Sequence, residues 1–256
     1  RNGEGMIAGQ SAVNLEGDLQ NNKGVVLSEK GGVRVNGKAQ IDNVGGVIQA
    51  AQAVVLHSQG VDNSKGLIRG ASVDIHSQGH QIRNGEGMIA GQSAVNLEGD
   101  LQNTKGVVLS EKGGVRVNSK AQIDNVGGVI QAAQAVALNG QGVDNSKGLI
   151  KGKNVSLNSE GYQVVNVEGA ITALNSITVN GNLNNQRGTL LSEQGDITVN
   201  SRSAVNNQQG LIHAATQATI SSQGLDNQAG TVSANRLTIN NAGQQVNNQQ
   251  GTIVAQ

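Results

Sequence analysis

Apolar and polar residues alternate along this chain in short bursts. Ser72-Val73-Asp74-Ile75-His76 reads out, in, out, in, out, and Ser176-Ile177-Thr178-Val179-Asn180 keeps the same order. Gly66-Leu67-Ile68-Arg69-Gly70 gives a shorter run, and Val61-Asp62-Asn63 one shorter still. Alternation with a period of two predicts strands with one buried face. Gly clusters such as Gln59-Gly60 and Lys30-Gly31-Gly32 separate the runs and predict corners. No segment carries a helical period.

The runs hang on one recurring phrase. In Val61-Asp62-Asn63-Ser64-Lys65-Gly66-Leu67-Ile68 the order is apolar, any, Asn, any, any, Gly, any, apolar. The Asn and Gly return as Asn21 and Gly24, Asn43 and Gly46, Asn84 and Gly87, Asn103 and Gly106, Asn125 and Gly128, and Asn145 and Gly148. They continue as Asn166 and Gly169, Asn185 and Gly188, Asn207 and Gly210, Asn227 and Gly230, and Asn248 and Gly251, with a truncated first copy at Asn2 and Gly5. A fixed interval of about 20 residues marks a repeat architecture. Three short strands and three corners in each interval predict one coil of a parallel β-helix. The expected fold is all-β, a right-handed parallel β-helix (solenoid) of about 20-residue coils. About thirteen coils at ~4.8 Å make a rod of ~60 Å. The asparagines are expected to stack into a ladder, each amide bonding the next one and the turn backbone. The glycines are expected where the backbone needs either a positive φ or a close approach.

A longer period overlies the short one. Arg1 to Gln81 matches Arg83 to Gln163 with scattered substitutions, and a diverged third copy follows. The expected organisation is one β-helical segment over 1–256, with units 1–82, 83–164 and 165–246 and part of a fourth at 247–256. Both chain ends fall inside repeats and no capping repeat is visible, so a fragment of a longer chain is expected.

Composition sharpens this picture. The chain holds 37 Gly, no Pro, Phe, Trp or Cys, and one Tyr, Tyr162. Its core must therefore be built from Val, Ile, Leu and Ala in thin layers. Eighteen basic residues balance eighteen acidic ones, with no basic patch, so nucleic acid is not an expected partner. No apolar run approaches a membrane span. The absence of Cys excludes disulfides and thiolate chemistry.

Two clusters are candidates for chemistry. Asp42 and Asp62 precede ladder asparagines on adjacent coils, as Asp124 and Asp144 do one unit later. Stacked carboxylates about 5 Å apart are the raw material of acid–base catalysis, as in β-helical polysaccharide hydrolases and lyases. Copied along a rod without basic or aromatic subsites, they are instead expected to face solvent, neutralised by Lys65 and Lys147. His57 and His76 hold equivalent places, with His80 nearby, and imidazoles can bind a transition metal. Their counterparts Asn139, Asn158 and Tyr162 are not comparable ligands, which favours a solvated surface. His213 stands alone. Gly3-Glu4-Gly5 precedes no helix and is no dinucleotide fingerprint. The calcium nonapeptide, Thr-x-Thr rows and a Gly-x-Ser-x-Gly elbow are missing. No catalytic residue, cofactor or metal is expected.

Phrases such as Leu183-Asn184-Asn185-Gln186-Arg187-Gly188-Thr189-Leu190-Leu191 resemble filamentous haemagglutinin repeats, over essentially the whole chain. The resemblance implies a large exoprotein of Gram-negative bacteria, exported by two-partner secretion through an outer-membrane transporter and held at the cell surface or released. Such proteins include adhesins, biofilm matrix proteins, haemolysins and the shafts of contact-dependent growth-inhibition toxins. The expected role is the rod of an adhesin that meets a target-cell receptor, extracellular matrix or polysaccharide. A toxin's delivery shaft is the alternative, and a polysaccharide-processing enzyme stands behind both.

Overall fold

The computed structural model describes residues 1–256, the side chain of Glu160 excepted. It is an all-β solenoid whose strands pair in parallel from coil to coil. We number the coils from the ladder asparagine that opens each, from coil 1 at Asn2 to coil 12 at Asn227. Twelve full turns are present, with the opening of a thirteenth at Asn248. Coil 2 shows the plan, with strands Val25–Ser28, Val33–Asn36 and Ile41–Asp42. Coil 3 repeats it with Val47–Ala50, Ala53–His57 and Val61–Asp62. In other coils the corners flatten and the strands merge, so Leu67–Arg83 is nearly one whole turn.

The register stacks like on like. Val26 sits beside Ile48, and Ile48 beside Ile68. Every inward residue therefore joins a column running along the rod. Coil 4 contributes Ile68, Val73, Ile75 and Ile82, and coil 7 contributes Ile130, Val136, Leu138 and Val143, all fully buried. Burying each such side chain contributes roughly 1.5–3 kcal/mol of gross transfer free energy. Branched aliphatics suit this interior: they are stiff, pack well on a pleated sheet, and fill a thin layer that a ring would overfill.

The coils are not of equal length. Successive ladder asparagines lie 19, 22, 20 and 21 residues apart, together one 82-residue unit, and the cycle runs three times. It survives in the third unit, where the sequence has diverged. The corners show why. The 22-residue coil carries an extra loop, and the preceding 19-residue coil holds it. Asp18 Oδ1 accepts from the backbone N–H groups of Lys38 and Ala39. Asp100 Oδ1 takes Lys120 N–H one unit later, and Asn182 Oδ1 takes Arg202 N–H in the third. A carboxylate and an amide oxygen do the same work, so the residue type drifted while the bond remained.

This interlock predicts a difference between two excisions. Removing 83–164 joins matching coils and is expected to leave a β-type circular dichroism spectrum and a single cooperative melt. Removing 84–102 takes away the 19-residue coil that holds the loop at Lys120. That variant is expected to melt about 4–8 °C below the intact chain, the shift that roughly 2 kcal/mol makes in a chain of this size. Equal melting of the two variants would show that coil order does not matter.

Candidate functional site

The asparagine ladder is the most ordered constellation in the molecule. Each ladder residue from Asn21 to Asn227 is fully buried at one corner. Asn63 is representative. Its Nδ2 donates to Asn84 Oδ1 at 2.8 Å, to Gly66 O at 3.3 Å and to Met88 O at 3.0 Å. Its own Oδ1 accepts from Asn43 Nδ2 at 2.7 Å. All twelve bonds between neighbours run the same way, from Nδ2 of one coil to Oδ1 of the next. A buried amide costs free energy unless both ends are bonded, and here each rung satisfies the rung before it.

The repeated glycines serve one of the two purposes expected of them. In the turn after Asn63, Gly66 N–H bonds back to Asn63 O at 2.9 Å. The left-handed residue of that turn is Lys65, at φ 56°, and not the glycine. Glu4, Lys23, Glu86, Lys105, Lys147, Glu168, Arg187, Gln209, Ala229 and Gln250 hold the same conformation, and Gly45 and Gly127 hold it in the two remaining turns. Gly66 is needed for space: a Cβ there would overlap the carbonyl oxygen of Asn43 and stand 2.6 Å from Asn63 Oδ1. The same crowding recurs from Gly24 to Gly251.

The acidic pairs belong to the turns. Asp62 Oδ1 accepts from both N–H and Oγ of Ser64, and Asp144 Oδ1 does the same with Ser146. Asp124 Oδ1 takes Val126 N–H, and Asp42 Oδ1 takes Gln40 Nε2. All four are half-buried, and Asp62, Asp124 and Asp144 close local turns. The cations beside them differ from those expected. Arg83, not Lys65, approaches Asp62, at 3.8 Å, and Lys147 pairs with Glu168 at 3.7 Å.

His57 and His76 stack on the outer face, ring centroids 4.6 Å apart and 7° from parallel. His76 Nδ1 lies 2.7 Å from Glu98 Oε2. Burial holds the His57 pKa below its ordinary 6.5, aided by His76 and Arg34 and opposed by Glu98. The fold thus favours neutral His57. Stability tied to it is present above pH 6.5 and is lost as pH falls toward the lowered value. Changing His76 to Asn is expected to raise the His57 midpoint in an NMR titration; an unchanged midpoint would leave burial and Arg34 as the causes of the shift. His213 Nδ1 meets Ser233 Oγ at 2.7 Å, and His80 is exposed at a corner. Among the described residues no group of three or more His, Asp or Glu is placed to hold a metal ion.

One feature escaped the sequence pattern. The residue after each ladder glycine faces outward, and these residues align in a column. Met6, Val25, Val47, Leu67, Met88, Val107, Val129, Leu149 and Ala170 follow one another over nine coils. Thr189, Leu211, Thr231 and Thr252 continue it. All are partly or largely exposed. The signal was present as an apolar residue at the unassigned position after glycine in ten of the thirteen copies.

A family model described as a haemagglutinin repeat matches residues 7–105, 61–127, 112–208 and 194–256. No curated protein matches the chain. No solved structure matches it either.

Proposed function

Because the chain belongs to the haemagglutinin repeat family, we propose that it is the structural rod of a secreted bacterial surface adhesin. The observation that supports this most is the uninterrupted ladder over twelve turns, which makes one continuous body of the whole segment. Its work is mechanical. Each coil shares backbone bonds with two neighbours, so stability accumulates along the axis and the rod resists bending. Each 82-residue unit adds four coils, about 19 Å of reach. On this reading an outer-membrane transporter passes the chain to the cell exterior. A target-cell receptor, extracellular matrix or polysaccharide then meets its surface or a segment it carries. Repeated polar ranks along the outside engage such a target many times over, and avidity supplies what each contact lacks.

The test uses the natural protein that carries this segment, with and without 83–164, on the bacterial surface. Attachment to target cells under flow is expected to fall when the rod is shortened. If attachment is unchanged and killing of neighbouring bacteria falls instead, the rod is the delivery shaft of a growth-inhibition toxin.

A further inference from the structure

We propose that the cleft beside Tyr162 binds a neutral hexose of a cell-surface glycan. The cleft has a volume of about 400 Å³ and lies at the corner where coils 6, 7 and 8 meet. That size is at the small end of ligand sites. A Cβ on Gly142 of coil 7 would stand 3.6 Å from Tyr162 Cβ and 3.8 Å from Gln122 Cγ, so both neighbouring coils border it. Several groups here have no partner in the protein. Asp144 uses Oδ1 on Ser146 and leaves Oδ2 unbonded among the described residues. The side-chain amides of Gln122, Gln141 and Gln163 are likewise unbonded. Tyr162 is 51% exposed. An exposed ring offers an apolar face to the C–H groups of a pyranose. A carboxylate oxygen accepts charge-assisted bonds from its hydroxyls, and amides both donate and accept. Asp144 carries the one charge among the described residues lining the cleft. A sugar acid is therefore repelled and a neutral sugar taken.

The 82-residue duplication supplies two internal controls. The same corner recurs at Gly60 and at Gly224, with its aspartate as Asp62 and Asp226. In the first unit His80 stands for Tyr162 and Arg83 for Val165. Arg83 occupies the free groups: it approaches Asp62 Oδ2 at 3.8 Å and donates to Gln81 Oε1 at 3.0 Å. Gln40 Nε2 is taken by Asp42 Oδ1. In the third unit Gln244 replaces the ring and Ala204 replaces Gln122. There Gln208 Nε2 donates to Asp226 Oδ2 at 2.7 Å. The middle corner alone combines a tyrosine ring with an unclaimed carboxylate oxygen. The proposal deepens the adhesin reading and rests on it for the glycan's place on a target cell; the chemistry of the cleft does not depend on it.

Tyrosine fluorescence of the intact chain tests the site. The chain has one Tyr and no Trp, so the signal comes from this cleft. The probes are neutral trisaccharides of glucose, galactose and mannose, with trigalacturonic acid as the acidic counterpart. At least one neutral probe is expected to change the emission saturably, and the acid to leave it unchanged. Saturation-transfer difference NMR, which needs no fluorophore, reads the variants. Tyr162→Ala and Asp144→Asn are each expected to weaken binding about tenfold or more. Asparagine keeps an oxygen for Ser146 and removes the charge. His80→Ala and Asp226→Asn, in the control corners, are expected to change nothing. Circular dichroism on each variant separates loss of binding from loss of fold. No neutral probe bound, equal binding of the acid, or binding indifferent to Tyr162→Ala overturns the proposal. If no probe binds yet attachment under flow falls when 83–164 is removed from the natural protein, the site fails and the adhesin rod stands. If a probe binds and attachment is indifferent both to that removal and to Tyr162→Ala, the site stands and the adhesin reading fails.

Discussion

Exchanging Asn145 for leucine will lower the unfolding free energy by about 2–4 kcal/mol, read from urea denaturation. The side chain sits in the middle of the ladder and is fully buried. Its Nδ2 donates to Asn166 Oδ1 at 2.8 Å, and its Oδ1 accepts from Asn125 Nδ2 at 2.7 Å. Leucine leaves Asn166 Oδ1 with no donor from below, and Asn125 Nδ2 loses its shortest bond. Each orphaned buried group costs about 1–3 kcal/mol. The carbonyls of Gly148 and Ala170 suffer less. Gly148 O keeps the N–H of Ala170, at 2.9 Å. Asn248 supplies the comparison, because it is the last rung within this segment and its exposed corner lets water replace the bond it accepts from Asn227 Nδ2, at 2.7 Å. Asn248→Leu is expected to cost less than about 1 kcal/mol. Equal losses at the two positions would mean that the ladder contributes nothing beyond each side chain's own turn.

A second pair of substitutions separates the two roles that glycine can play. Gly148→Ala is expected to cost about 3–5 kcal/mol, in the range that signals a specific steric fault. A Cβ there would overlap Asn125 O and stand 2.5 Å from Asn145 Oδ1. Neither atom can retreat: one is backbone held in the coil beneath, the other a ladder rung. The residue just before it behaves oppositely. Lys147 has φ 55°, a conformation that costs a non-glycine residue about 1 kcal/mol or more. Lys147→Gly relieves that cost and adds a similar entropy to the unfolded chain. Its ion pair to Glu168 adds little, since the lysine is 72% exposed. The net change is expected within about 1 kcal/mol of zero. Denaturation curves of the two variants, measured side by side, check the assignment. If Lys147→Gly were the damaging change, the turn and not the contact between coils would set the glycine requirement.

These positions also show how far the sequence could be read. The asparagines and the glycines beside them were legible because each faces its own copy in the next coil. A burial site with one geometry, repeated every turn, tolerates one residue type. The alternating apolar positions were legible for the same reason. The left-handed residues were not, because Lys65, Glu86, Arg187 and Ala229 point to solvent and share only a backbone angle. The partners of Asp62 were misplaced because an aspartate in a turn reaches two residues along its own chain, to Ser64, more readily than across to a lysine. The apolar column was hidden by arithmetic: its residues adjoin inward ones, so the phrase read as one apolar position where the structure has two facing opposite ways. The interlock of Asp18 with Lys38 joins residues a whole coil apart, and only the stacked register brings them together.

The direction shared by all twelve ladder bonds gives the rod an electrical axis. A side-chain amide resembles a peptide group, whose dipole is about 3.5 D. Here the amides align head to tail, donors toward the end of higher residue number, with each coil adding in the same sense. Reversing one rung would set oxygen against oxygen on one side and nitrogen against nitrogen on the other. It would also turn an oxygen toward the glycine carbonyl that now accepts a bond, as Gly66 O does from Asn63 at 3.3 Å. The glycine carbonyl thus fixes the polarity locally in every coil. A chain with no net charge is in this way distinguishable end from end by its field as well as by its sequence.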